Sequence, residues 1–171
     1  MQIQPFLDAG LVVQVHAVAA TWALVTGPFV LWRQRRDRLH KVGGYLWVLA
    51  MALAAGSSFW INGFAMIGPF SPIHLLAVLA LGSLWFGMRA ILRGDVRAHQ
   101  RAFRNLYLRG VLVAGLFNFL PGRVVNRMFL GEAPEQGYTV IAVGCAVLAV
   151  QLAVQVLRGR GRSFSGALRA A

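Results

Sequence analysis

Leu11-Val12-Val13-Gln14-Val15-His16-Ala17-Val18-Ala19-Ala20-Thr21-Trp22-Ala23-Leu24-Val25-Thr26-Gly27-Pro28-Phe29-Val30-Leu31-Trp32 is a run without Asp, Glu, Lys or Arg, and Arg33-Gln34-Arg35-Arg36-Asp37-Arg38 follows it directly. A helix rises about 1.5 Å per residue and the hydrocarbon core of a bilayer is about 30 Å thick, so about 20 apolar residues cross it. The run therefore reads as a membrane-spanning helix. The arginines at its end mark the cytoplasmic face, because Lys and Arg stay behind in cytoplasmic loops.

The same template fits four more segments, roughly 43–66, 72–92, 105–130 and 138–157. Only helices satisfy their own backbone polar groups in lipid, so an all-α polytopic bundle of about five transmembrane helices is expected. Arg109 and Pro121 interrupt the fourth segment, whose start can lie as early as Val96, as an amphipathic turn on the membrane surface. Gly27-Pro28 should kink the first helix, since Pro28 lacks an N–H and crowds the preceding turn.

Composition agrees. Hydrophobic residues make up 58% of the 171 residues and charged ones 13%, against about 45–50% and about 25% in soluble domains. The net charge of +12 does not point to nucleic acid, because the basic residues cluster between apolar runs. Arg33, Arg35, Arg36, Arg38 and Lys41 form one cluster. Arg89, Arg93, Arg97, Arg101 and Arg104 form another, and Arg158, Arg160, Arg162 and Arg169 a third. With the N-terminus outside and the C-terminus in the cytoplasm, every Lys and Arg except Arg123 and Arg127 falls on the inner side. Loops are short, so residues 1–157 read as a single helical-bundle domain and 158–171 as a basic cytoplasmic tail. Met1–Gly10 has no basic n-region, and no cleaved signal peptide is expected. Cys145 is the one cysteine and reads as a small packing residue.

Four histidines carry the chemistry. His16 and His74 lie about 25 Å and about 28 Å above the inner boundary, on the first and third helices. His40 and His99 lie at that boundary, beside the second and fourth. A haem iron takes two axial imidazoles from facing helices. The two levels are thus similar to those of dihaem b-type cytochromes, with haem b as the cofactor. A single outer haem or metal on His16 and His74 is a second possibility. The plainer alternative is that all four sit among headgroups without a cofactor. In that view the segment between Arg33 and Lys41 is a loop.

Other polar groups in the spans are Asn62, Asn118, Asn126, Arg123 and Arg127. They could line a small outer cavity, or they could serve interhelical hydrogen bonds and snorkelling. Arg109 is expected to snorkel inward. Tyr45, Trp47, Trp85 and Tyr107 near the inner boundary, with Trp60 and Tyr138 near the outer one, read as an aromatic belt. Ala20, Ala23 and Gly27, then Ala50, Ala54 and Ser57, then Gly110, Ala114 and Asn118, mark stripes where helices approach closely. Ser71 can cap the third helix and Pro72 suits its first position. His74 then lies in a first turn that disfavours an imidazolium.

Gly27-Pro28, Leu39-His40-Lys41-Val42-Gly43-Gly44-Tyr45, Phe70-Ser71-Pro72-Ile73-His74-Leu75-Leu76, Arg93-Gly94-Asp95-Val96-Arg97-Ala98-His99 and Leu120-Pro121-Gly122-Arg123 together carry a resemblance. In this order they resemble a group of bacterial predicted membrane proteins catalogued as domain of unknown function 2306, over most of residues 12–131. The resemblance implies a helical bundle of the bacterial inner membrane. It also implies departures. Members carry His-Arg where this chain has His40-Lys41 and His99-Gln100, and many carry histidine near Asn62 and Asn126.

No nucleophile–base pair, carboxylate pair or phosphate-binding glycine loop is present, so no catalytic residue is assigned. No acidic residue lies within a span to couple ions. The first expectation is an accessory or structural subunit of a membrane complex, in contact with lipid and with other membrane-protein subunits. The alternative is a haem b electron carrier ligated by His16, His74, His40 and His99.

Overall fold

The computed structural model describes residues 2–61, 72–151 and 153. Every regular element among them is helical. α1 (Gln4–Leu7) is a single turn. Gln14 Nε2 closes it by donating to the main-chain oxygens of Phe6, Leu7 and Ala9 at 3.3, 3.1 and 2.9 Å. α2 (Leu11–Leu31), α3 (Arg38–Ser57) and α4 (Pro72–Leu92) follow. A 3₁₀ turn, Ser58–Trp60, extends α3. Over Leu11–Leu31, Arg38–Trp60 and His74–Leu92 these helices are long and apolar enough to cross a membrane.

α3 starts earlier than its apolar run. The Asp37 carboxylate accepts from the His40 N–H at 2.9 Å and caps the helix at Arg38, as a short acidic side chain at an N-cap does. His40 therefore lies in the first turn of α3, not in a loop.

The expected span 105–130 is built differently. α5 (Val96–Asn105) passes through a π-helical turn (Leu106–Val111) into α6 (Leu112–Phe117) without interruption. This helix is about 33 Å long. Residues 118–123 then turn, with Gly122 at φ +85, before α7 (Val124–Leu130). Pro121 and the left-handed Gly122 explain the break. The first turns escape a hydropathy reading because α5 exposes Arg97 and Arg101 on one face and buries Phe103 on the other. α8 (Gln136–Gln151) takes the place of the last expected span. The end of that span, the tail 158–171, Asn62, Gly68 to Ser71 and the outer end of the second span lie outside the described residues.

α3 is central and packs on both α2 and α4. α5 packs back on α4, and the π-helical turn reaches α2. The outward faces are apolar. Val18, Val25 and Phe29 on α2, Leu46, Leu49 and Leu53 on α3, and Leu75, Val78 and Leu79 on α4 are exposed. Such a surface suits lipid. Small residues hold the inward faces, with Ala19, Ala23 and Gly27 buried on α2 and Ala50 and Ala54 on α3. The stripe Gly110, Ala114 and Asn118 is only half-buried.

The core centres on Trp47, Phe103 and Tyr107. Trp47 and Tyr107 are not belt residues. Trp47 is 1% exposed, and its Nε1 donates to the Ala23 carbonyl at 2.9 Å. Tyr107 is buried, and its hydroxyl donates to the Leu24 carbonyl at 2.9 Å. The cause lies in the sequence of α2. Pro28 has no N–H to offer the Leu24 carbonyl four residues back, and Tyr107 supplies the missing donor. Gly27 leaves room for this, since a Cβ there would run into the Tyr107 ring. Arg104 Nε donates to the Leu31 carbonyl at 3.1 Å, at the end of the same helix. Tyr45, Trp60, Trp85 and Tyr138 are exposed, as an interfacial belt requires.

Candidate functional site at the basic end of the bundle

Two helices begin at the basic end with the same device. Asp37 caps α3, and Asp95 caps α5 by accepting from the Ala98 N–H at 2.9 Å. Gly94, at φ +81, makes the turn from α4 into α5. A histidine stands in or just after the first turn of each helix. His40 is on α3 and His99 on α5. Between them lies a cavity of about 350 Å³ to which both contribute.

Its floor is apolar, formed by Trp47, Val48, Met88 and Phe103. Its collar is cationic, formed by Arg33, Arg35, Arg36 and Lys41. Arg33 pairs with Asp37, whose carboxyl accepts from both Nε and a terminal guanidinium nitrogen. That hydrogen-bonded guanidinium holds the Asp37 carboxyl well below the usual carboxylate range. Arg35, Arg36 and Lys41 make no ion pair among the described residues.

His99 Nδ1 lies 3.0 Å from the Gly87 carbonyl, and its ring meets Phe103 edge-on at 4.7 Å. A carbonyl can only accept, so Nδ1 carries the proton. Gly87 permits this approach, because a Cβ there would stand 2.8 Å from Phe103. His40 Nδ1 is buried and has no hydrogen-bond partner among the described residues.

At the opposite end His16 and His74 serve neighbouring helices. His16 Nδ1 lies 2.8 Å from the Ala54 carbonyl and 3.2 Å from Ser57 Oγ, which ties α2 to α3. His74 is 6% exposed, with its ring 5.7 Å from Phe59. The structure thus brings His40 and His99 to one cavity and sets His16 and His74 around the far end of α3. Among the described residues no group of three or more His, Cys, Asp or Glu could hold a metal ion.

Of the asparagines read as lining an outer cavity or serving hydrogen bonds, Asn118 and Asn126 are seen to bond the backbone. Asn126 is 0% exposed, and its Nδ2 donates to the carbonyls of Phe119 and Pro134 at 2.7 and 2.8 Å. Asn118 Nδ2 donates to Ala114 at 3.3 Å. Arg109 and Arg127 are exposed, as snorkelling requires. Sequence reasoning missed the part of Phe103, Met88 and Gln100 in the cavity. Gly87 was the available signal, a small residue two positions before the basic cluster that starts at Arg89.

No curated protein and no solved structure matches the chain. One family model does, described as a predicted membrane protein (DUF2306), and it matches residues 13–157. That match takes in α2, α3, α4, the helix 96–117 and the described part of α8, so the chain belongs to this family of predicted membrane proteins.

Proposed function

We propose that the chain is an accessory or structural subunit of a complex in the bacterial inner membrane. In this reading it has five spans, with the N-terminus outside and the basic end in the cytoplasm. One observation carries the structural role. Four polar side chains inside the bundle bond main-chain carbonyls, Trp47 that of Ala23, Tyr107 that of Leu24, His16 that of Ala54 and Asn126 those of Phe119 and Pro134. In lipid such bonds join helices into a fixed scaffold. The orientation rests on the clusters of Arg and Lys at one end. Cys145 on α8 is exposed, so it accepts a thiol-linked photo-crosslinker without other changes. A single partner subunit captured in near-stoichiometric yield from native membranes, and comigrating on a native gel, is expected. A lone monomer crosslinked only to lipid in mild detergent removes this reading.

A second reading, haem b ligation, has one supporting observation. His40 and His99 share a cavity, and the carbonyl on His99 Nδ1 is the kind of partner that orients a metal-ligating imidazole. The test is the optical spectrum of protein expressed with ample haem, before and after dithionite. Reduced b-type bands lost in His99→Ala establish the cytochrome, and a colourless folded preparation ends it.

A further inference from the structure

We propose that the cavity between the start of α3, the end of α4 and the start of α5 is a binding site for the phosphate-bearing headgroup of an anionic membrane lipid, with an acyl chain lying over its apolar floor. This goes beyond the scaffold role and does not depend on it.

Three features converge. The first is charge. Arg35, Arg36 and Lys41 contribute to the cavity without an ion pair among the described residues, and no acidic side chain is among the described residues that line it. Asp37 and Asp95 are engaged, one with Arg33 and one as the cap of α5. Arg forks match phosphate oxygens, and uncompensated cations of this kind attract anionic headgroups.

The second is hydrogen-bonding capacity. The buried Nδ1 of His40 makes no bond with a described residue, and a buried polar atom of this kind is costly unless satisfied. His40 lines the cavity, so a small turn of its ring would present this donor to an acceptor oxygen there.

The third is polarity against depth. The collar sits just past the end of α2, where a bilayer spanned by that helix would place its headgroups, while Trp47, Val48, Met88 and Phe103 belong to the helical part of the bundle. A free phosphate would gain nothing from that floor. A lipid uses both halves. Gly44 forms part of the wall, and a Cβ added there meets nothing within 4 Å, so the wall is open at that point.

The experiment is native mass spectrometry and thermal unfolding of the full chain in detergent. The probes are dioctanoyl phosphatidylglycerol, dioctanoyl phosphatidylcholine and inorganic phosphate, each titrated alone. Retained phosphatidylglycerol adducts and a raised melting temperature are expected, with neither from phosphatidylcholine. The double variant Arg35→Gln/Arg36→Gln should weaken binding about tenfold or more, as loss of charged hydrogen bonds does. Gly44→Leu should weaken it without removing any charge. Arg97→Gln/Arg101→Gln, which alters the exposed face of α5 outside the cavity, should leave it unchanged. Equal loss in both arginine pairs would show diffuse surface attraction and overturn the site. So would binding of inorganic phosphate as tight as that of the lipid. A Soret band abolished by His99→Ala would assign the cavity to haem and likewise overturn it.

Discussion

The two ends of the bundle are held by different means. At the basic end large aromatic side chains do the joining. Trp47 and Tyr107 bridge α3 and the π-helical turn to α2, and Phe103 fills the space between. At the opposite end His16 ties α2 to α3, and around α8 small residues and one amide do the joining. Asn126 ties the turn after α6 to the start of α8, and Gly137 and Gly144 let α8 approach Phe119 and Leu116. The difference concerns tolerance. A side chain in the aromatic knot has some room to absorb change, whereas the Phe119 carbonyl against Gly137 is backbone and has less.

That contrast can be broken most severely at its inner anchor. Trp47→Ala removes a fully buried side chain together with the hydrogen bond to Ala23. It should cost about 3–5 kcal/mol in detergent unfolding. Next comes Gly137→Ala, whose Cβ would strike the Phe119 carbonyl and the Asn126 amide. A cost of about 1–3 kcal/mol is expected from overpacking. Gly27→Ala would strike the Tyr107 ring, a side chain rather than a main-chain group, and should cost less. Equal costs would abolish the distinction between the two ends.

A smaller effect sharpens the role of Pro28. Tyr107→Phe should cost about 0.6 kcal/mol, the mean for such bonds between helices in membranes. In a Pro28→Ala background the Leu24 carbonyl regains its own N–H donor, so the same change should cost nearly nothing. A double-mutant cycle reads the coupling. Smallest of all, Arg97→Gln on the exposed face of α5 should stay within about 0.5 kcal/mol of the parent protein.

Much of this was legible in the sequence. The spans read as 11–32 and 72–92 correspond to Leu11–Leu31 and Pro72–Leu92, because a long apolar run is suited to lipid. Of the two interruptions read in the fourth span, Pro121 marks a true break, with Gly122 left-handed beside it, whereas the helix runs on through Arg109. The start near Val96 was legible as an amphipathic turn, but its continuation into one long helix was not, because arginine interrupts its hydropathy. The aromatic residues divided for a related reason. Depth along the membrane is written in residue number, but the face a residue presents is not, so Trp47 and Tyr107 looked like the exposed Tyr45 and Trp85. The orphan carbonyl that Pro28 creates was the clue that one of them had to turn inward. For the histidines, depth was again readable. That His40 and His99 share a cavity depended on α5 folding back along α4, which no local pattern declares.

The proline in α2 has one further consequence. Below it the last turn of α2 has lost a rung of its ladder, yet it does not hang loose. Tyr107 grips the helix above the gap at Leu24, and Arg104 grips it at its end, at Leu31. Both grips come from a single neighbouring helix, so the fracture is splinted. The lower end of α2, with the arginine loop beyond it, is mechanically an extension of the helix 96–117. A push on one is delivered to the other.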